Sequence, residues 1–576
     1  MKNFLIGLLA GILFSGLVLV ILFFAVVRLA GSFAERAATV PDSSMLVLKL
    51  EGDLPEMTPP EIPIPFIEQQ TPLAIYEVYE IFRRAAADSR VKGVILEPQG
   101  LGVGFGKLEE LREEIAQFKK SGKPIVTYLR SPGAREYYLA CGTDRIFLGP
   151  EDDLDLKGMR LESIFLKTGL DKIGVSVDVI HAGKYKDAGD MFTRTSMTPE
   201  TREVLNDVID QDYGSLTDAI AQGRKKQPDA LKALIDQGPF VASEALSNGL
   251  VDSLGYEDQA IENLKNRASN SNLRRISAKT YLKAAASSSA TANRIALVVG
   301  EGDITTGSSN EAANEQGFTS TAFVRLLRQV ENDSSIKGVI LRIDSPGGES
   351  TASDDILHEA KNLSKKKPTV ISMSDLAASG GYMVSMTGDP IVAYPDTLTG
   401  SIGVLLVRPN LHGLYDKLGI GKQELTRGRN ADLDSEYVPL DDQLRAKLAS
   451  QVDTFYKSFV NVVAQGRKRP ADQIEALAQG RVWMGAQARQ NGLVDYLGGL
   501  DRAVELVKEK AHIGAAERIT LVPYPGKRSI LEMLFNRSDE SSETELKIKK
   551  VLGPIPIELL TRGGFLKLMP YAIQVK

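Results

Sequence analysis

The chain has 576 residues, a formal net charge of −5, four histidines (His181, His358, His412, His512) and one cysteine, Cys141. An acidic balance with no dense basic block argues against a nucleic-acid partner. No Cys/His cluster has metal-ligand spacing, and one cysteine cannot form an intrachain disulfide. With 43% hydrophobic and 25% charged residues, the composition is that of a folded protein long enough for several domains.

From Asn3 to Val27 no residue is charged. That run exceeds the roughly 20 residues needed to cross a bilayer, and also the apolar core of about 7–15 residues in a signal peptide. It predicts an uncleaved transmembrane anchor over residues 1–28; a secretory signal cleaved near Leu29-Ala30-Gly31 is the lesser alternative. Lys2 and the amino terminus, set against Arg28, favour a cytoplasmic amino terminus. The expectation is a single-pass inner-membrane protein with its body facing the periplasm.

After the anchor, Met45–Leu50 reads as a strand leading into Glu51-Gly52-Asp53, and the proline-rich stretch from Thr58 to Pro65 as a surface loop. Leu108, Leu111, Ile115 and Phe118 recur at helical spacing before the strand Ile125–Tyr128. Ile295–Val299 leads into Glu301-Gly302-Asp303 in the same way, and Ile356, Leu357, Ala360 and Leu363 precede the strand Val370–Met373. Strands alternating with amphipathic helices predict βαβ units, a largely parallel sheet and an α/β fold. Residues 267–293, rich in Ser, Ala and Asn, read as a connector with one short helix. Residues 510–576 form a carboxy-terminal extension, in which Leu559 to Met569 is apolar enough to pack on the body or touch the membrane.

The chain is written twice. Val91–Leu96 returns as Ile336–Leu341, a shift of 245 positions, and Asn248–Asp252 returns as Asn491–Asp495, a shift of 243. Two copies of one fold, over residues 45–266 and 294–509, therefore serve as an internal alignment. At a shift of 245, Tyr137 lies on Tyr382, Asp144 on Asp389 and Pro150 on Pro395. That register puts Ala134 under Ser379, in Ala377-Ala378-Ser379-Gly380-Gly381-Tyr382, and Lys186 over Ala431. Each copy thus lacks one member of a Ser/Lys pair.

Ser379 follows an apolar strand and precedes a helical run, a position that favours developing negative charge on a substrate. A second glycine turn, Asp344-Ser345-Pro346-Gly347-Gly348, follows the strand Val339–Ile343, and strand ends on a parallel sheet bring such loops together. The N–H groups of Gly348 and Gly380 could then form an oxyanion hole. In the first copy Val103 stands under Gly348, so that hole is degraded. A serine before glycine is otherwise a helix cap. The base would be a buried, neutral lysine, and Lys184 and Lys186 are both candidates. Gly102–Lys107 fits neither a dinucleotide nor a phosphate loop, because Leu101 and Leu108 stand at required positions. Cys141 reads as core packing.

These motifs, with Leu398-Thr399-Gly400-Ser401-Ile402-Gly403 and Tyr185-Lys186, closely resemble the long, tandem-duplicated form of the signal peptide peptidase A family, membrane-anchored Ser/Lys proteases of the S49 class. The resemblance covers nearly the whole chain. It implies a ClpP/crotonase-like fold in each repeat, with Ser379 as nucleophile, Lys186 as general base and Ser401 orienting the lysine amine. It also implies an active site between the repeats, no cofactor, cleaved signal peptides as substrates, and a homotetrameric bowl with an apolar interior. The lysine motif departs slightly from the family pattern in being followed by Asp187-Ala188-Gly189. Two other classes stand beside this reading: a crotonase-type acyl-CoA enzyme, which needs no Ser/Lys pair, and a non-catalytic membrane scaffold.

Overall fold

The computed structural model describes residues 39–58, 71–285, 293–307, 318–526 and 565–569, with Val18 alone before them. The anchor expected over residues 1–28 otherwise lies outside the described residues, as does the polar Ser538–Thr544 segment. Among the described residues no helix is long and apolar enough to cross a membrane.

The duplication is visible as two sheets of matching order. In the first, Ser253–Leu254, Arg145–Leu148, Ile125–Leu129, Val91–Gln99, Ser44–Glu51 and Arg274–Ser277 lie side by side, all parallel. In the second, Tyr496–Leu497, Ile391–Ala393, Thr369–Ala378, Ile336–Ser345, Arg294–Glu301 and Thr520–Tyr524 follow in the same order, again parallel, and Leu398–Gly400 also pairs with Thr369–Ala378. Even a register break recurs. Ser44 faces Val91 while Met45 faces Gly93, and Arg294 faces Ile336 while Ile295 faces Gly338. The edge strands come from segments that sequence comparison did not pair: Arg274–Ser277 from the expected connector, and Thr520–Tyr524 from the expected extension. Val94–Leu96 and Val339–Leu341 are buried, because helices cover both sheet faces; this is why these strands read as unbroken apolar runs.

The repeats are joined in two ways that position the site. Ser176–Ala182 of the first pairs antiparallel with Val404–Asn410 of the second over seven positions, from Ser176 opposite Asn410 to Ala182 opposite Val404. The helix Phe105–Lys119 of the first repeat abuts the strand Thr369–Ala378 of the second, and Asp375 caps it by accepting from the Gly104 N–H (2.7 Å) and the Lys107 N–H (2.6 Å). A Cβ on Gly104 would lie 2.7 Å from the Asp375 carboxyl carbon. The glycine-rich stretch at 102–107 thus serves close approach of the repeats. Of the expected extension, Phe565–Leu568 forms a strand on the body of the protein, paired with Gly347–Glu349 and with Val404–Asn410.

Candidate active site

The ladder between repeats ends at Ala182, where the chain leaves the sheet in a turn. Strand alternation therefore does not apply to the two lysines that follow, and the structure separates them. Lys184 is exposed, its ammonium 4.7 Å from the centre of the Tyr185 ring. Lys186 turns inward and is completely buried. Its stem lies against two glycines: a Cβ on Gly480 would sit 2.6 Å from Lys186 Cβ, and one on Gly403 would sit 2.9 Å from its Cδ.

The Lys186 Nζ lies 2.8 Å from Ser379 Oγ, 2.9 Å from Ser401 Oγ and 3.0 Å from the Ser401 carbonyl oxygen. Ser379 and Ser401 are also fully buried. Burial pushes the Lys186 amine well below the ordinary lysine value; the neighbouring Asp187 opposes this, and the Lys567 charge adds to it. The first-repeat lysine and the second-repeat serine, which the mismatched copies set apart, are thus in hydrogen-bond contact. Ala431, the residue at the lysine position in the second copy, is exposed.

Ser379 stands just before the helix Gly380–Val384 with φ 54° and ψ −111°, and its side chain makes no cap bond. A non-glycine residue in such a conformation is strained by about 1–3 kcal/mol and persists where its surroundings over-determine it. Here the Ser379 N–H donates to the Gly400 carbonyl at 2.8 Å, and its own carbonyl accepts from Met383 at 2.9 Å. The hydroxyl is left to face Lys186 rather than the helix amides, so it does not act as a cap. The two glycine turns meet beside it. A Cβ on Gly380 would lie 3.1 Å from Gly348 N, and one on Gly347, which has φ 101°, would lie 2.5 Å from Gly380 N. The Gly348 and Gly380 amides therefore sit together, next to the serine.

Sequence comparison missed the buried ionic cluster that braces the glycine turn. Lys107 Nζ reaches Asp344 at 2.7 Å. Arg342, 1% exposed, pairs with Glu56 at 3.0 Å and also with Glu110. Glu56, Lys107 and Glu110 come from the first repeat, Arg342 and Asp344 from the second. The mismatch Glu97 against Arg342, at the same shift of 245, was the available signal. Among the described residues no group of three or more His, Cys, Asp or Glu side chains is arranged to hold a metal ion.

Residues 117–271 and 361–514, one stretch in each repeat, match the profile of Peptidase family S49. The chain is 34% identical to the chloroplastic serine protease SPPA of Arabidopsis thaliana, over 86% of this chain and 73% of that one. It is 30% identical to Protease 4 of Haemophilus influenzae, over 85% and 82% of the two chains. A putative signal peptide peptidase SppA of Enterococcus faecium is 34% identical over 38% of this chain and 63% of its own. A solved ClpP1 structure from Listeria monocytogenes covers 36% of this chain and 94% of its own at 15% identity, with a TM-score of 0.23, too low to carry argument. With two S49 regions and homologous proteases aligned over most of its length, the chain is a serine protease belonging to peptidase family S49.

Proposed function

We propose that the chain is a membrane-anchored endopeptidase that degrades cleaved signal peptides and other apolar peptides through an acyl-enzyme on Ser379. The observation that carries this reading is the 2.8 Å contact between Ser379 Oγ and a fully buried Lys186 amine. A neutral amine has two N–H donors and one lone pair. With the donors directed to the hydroxyl and carbonyl oxygens of Ser401, the lone pair faces the Ser379 hydroxyl. Lys186 takes the serine proton as Oγ attacks the substrate carbonyl, and the Gly348 and Gly380 N–H groups hold the oxyanion. The lysine then passes that proton to the leaving amine and activates the water that frees the acyl group. Ser401 orients the amine throughout. An acyl-CoA enzyme would have no use for this pair.

Apolar substrates are supported by the residues around the dyad. Tyr185, Val204, Ala378 and Val482 form one buried cluster with Leu376 and Leu398 at its edge. The uncharged run from Asn3 to Val27 supports tethering at the inner membrane with the body in the periplasm, where spent signal peptides in the bilayer would be at high local concentration. The homotetramer is supported by exposed apolar side chains near one end of the inter-repeat sheet, including Ile173 in the first repeat and Leu418 in the second. The test is to incubate the chain with synthetic signal peptides and a serine-directed acylating probe. Peptide fragments and a probe adduct on Ser379 are expected. Fragmentation that continues unchanged in Ser379→Ala would sink the proposal.

A further inference from the structure

The strand that carries the chain into Ser379 breaks register just before the site. Thr369–Ala378 pairs evenly with Ile336–Ser345 from Thr369 opposite Val339 to Met373 opposite Ile343. The next pair is Ala377 opposite Ser345. One residue, Asp344, thus faces three, Ser374, Asp375 and Leu376. That is a bulge, which bends a strand and re-aims whatever follows it. Before the bulge, Ile371 and Ser372 pair with Ile391 and Val392; beyond it, Leu376, Ala377 and Ala378 pair with Leu398, Thr399 and Gly400. Ser379, Gly380, Ser401 and the glycine turn after Ser345 all stand beyond it. In the first repeat the matching strands pair without a break, from Val94 opposite Ile125 to Leu96 opposite Thr127.

Bulged residues lose their regular ladder, and side chains pin these instead, several of them from the first repeat. The Leu376 N–H donates to Asp344 Oδ1 at 3.1 Å, and the other oxygen of that carboxylate meets the Lys107 ammonium at 2.7 Å. The Ser374 hydroxyl accepts from Arg342 at 3.0 Å, and the Ser374 carbonyl accepts from the Thr397 hydroxyl at 2.7 Å. Asp375 accepts from the N–H groups of Gly104 and Lys107, which open the helix Phe105–Lys119 and have no partner within it. Lys107 therefore grips both sides of the bulge, its backbone on Asp375 and its ammonium on Asp344. The fit is close: a Cβ on Gly106 would lie 3.1 Å from both Asp375 Oδ1 and the Ser374 carbonyl oxygen.

We infer that Asp375, gripped by Gly104 and Lys107, is a positioning residue for the oxyanion hole, so that the first repeat sets the hole as well as supplying the base. This rests on the proposed chemistry, in which the Gly348 and Gly380 N–H groups hold the oxyanion. Those amides belong to loops that leave two neighbouring strands. Their spacing depends on which residue of one strand faces which of the other, and the bulge decides that. Asp375 touches no reacting atom; it acts through the backbone from Leu376 to Ser379. Donors in such a hole count only at the right distance, and a misplacement of about 1 Å can cost about 10²-fold in rate.

The test measures kcat and KM on an apolar reporter peptide, and inhibition by a peptide aldehyde of the same sequence, for the full-length chain, Asp375→Asn and Gly104→Ala. The aldehyde's adduct with Ser379 places its oxygen in the hole, so its affinity reports on the hole rather than on ground-state binding. Gly104 has φ −76°, which alanine adopts freely, so the added methyl acts by pressing on the Asp375 carboxyl. Asp375→Asn is expected to lower kcat per folded molecule about 10²-fold and Gly104→Ala about tenfold, with KM within about twofold and aldehyde affinity falling in step with kcat. Gln211→Ala removes a 2.8 Å contact between the repeats at Asp396 and should keep kcat within about twofold. Should Asp375→Asn fail to fold, Gly104→Ala decides. Variants that lose only melting temperature, with kcat per folded molecule and aldehyde affinity unchanged, overturn the inference, as does an equal loss in Gln211→Ala. In both cases an active wild-type chain leaves the proposed function standing. A wild-type chain that does not cut the reporter overturns the function itself.

Discussion

The two repeats build the same turn-and-helix corner and finish it differently. In the first, the helix Ala134–Ala140 begins one residue earlier than its counterpart, so Ala134 is helical where Ser379 is not. The buried Glu136 side chain then folds back over the corner, accepting from the Leu101 N–H at 2.6 Å and the Gly133 N–H at 2.9 Å. At a shift of 245 those two residues correspond to Pro346 and Ala378 rather than to Gly348 and Gly380, so the carboxylate ties the first corner shut beside the position of the hole. At a shift of 245 the residue over Glu136 is Gly381, which has no side chain to do this, and whose Cβ would lie 2.7 Å from the Ser345 carbonyl oxygen. No side chain at that position ties the two turns of the second corner together. The first corner has thus lost its nucleophile and gained a carboxylate brace, which satisfies two N–H groups that would be costly to bury without an acceptor.

The largest effects test whether the second corner alone is active. Ser379→Ala and Lys186→Ala should each lower kcat on an apolar peptide by about 10⁴-fold or more, and the double variant should be no worse, because the pair acts as a unit. Lys184→Ala should stay within about twofold, since its ammonium lies outside the site. Ala134→Ser in a Ser379→Ala background should restore nothing. Any activity there would break the comparison, by showing that the first corner needs only its nucleophile.

A smaller effect reads the state of the lysine. Its lowered pKa means that activity should rise with pH through a midpoint below the ordinary lysine value of 10.5, as the amine loses its proton and becomes a base. Lys186→Arg, which keeps its charge, should be inactive at every pH. Ser401→Ala removes one of two contacts from Ser401 to the amine and should cost about 1–1.5 kcal/mol, roughly tenfold in kcat, with the pH midpoint displaced. An unmoved pH profile would show that Ser401 does not hold the amine.

How much of this was legible depended on whether a residue had a partner in the other copy. The repeated parallel α/β pattern, the serine set against Ala134 and the glycine turn set against Val103 could each be read by laying one copy on the other. The choice between Lys184 and Lys186 was not legible, since it turns on a backbone that leaves the strand at Gly183, and periodicity does not report that. Asp375 lies in a stretch one residue longer in the second copy than in the first, between Met373 and Tyr382, so no internal comparison reached it. The Phe565–Leu568 strand has no counterpart at all, and its apolar sequence fits a membrane surface as well as a groove.

The role of Glu136 gives the next prediction. Glu136→Ala should leave the Leu101 and Gly133 amides buried without an acceptor and lower stability by about 1–3 kcal/mol. Peptide hydrolysis per folded molecule should be unchanged. A loss of turnover in folded protein would mean that the first corner takes part in catalysis, and the comparison between repeats would fail.

The smallest effect concerns how the two repeats hold together. Glu109, on the helix that Asp375 caps, accepts from the Asp396 N–H of the second repeat at 3.3 Å. Asp396 in turn accepts from Gln211 (2.8 Å) and Ser215 (2.9 Å) of the first. Burial, with the Asp396 charge beside it, pushes the Glu109 carboxyl up to about 9, and burial pushes Asp396 to about 6. A carboxyl raised on folding binds its proton more tightly in the folded chain than in the unfolded one. Its contribution to stability is therefore complete below the ordinary carboxyl value and is lost as pH climbs towards about 9. Glu109→Gln has no proton to lose. Its melting temperature should match the wild type near pH 5 and exceed it near pH 9 by about 2–4 °C, the shift expected of roughly 1 kcal/mol in a domain of this size. Parallel pH profiles for the two proteins would show that this contact between the repeats does not titrate. The sensitivity to alkali would then have to lie elsewhere in the molecule.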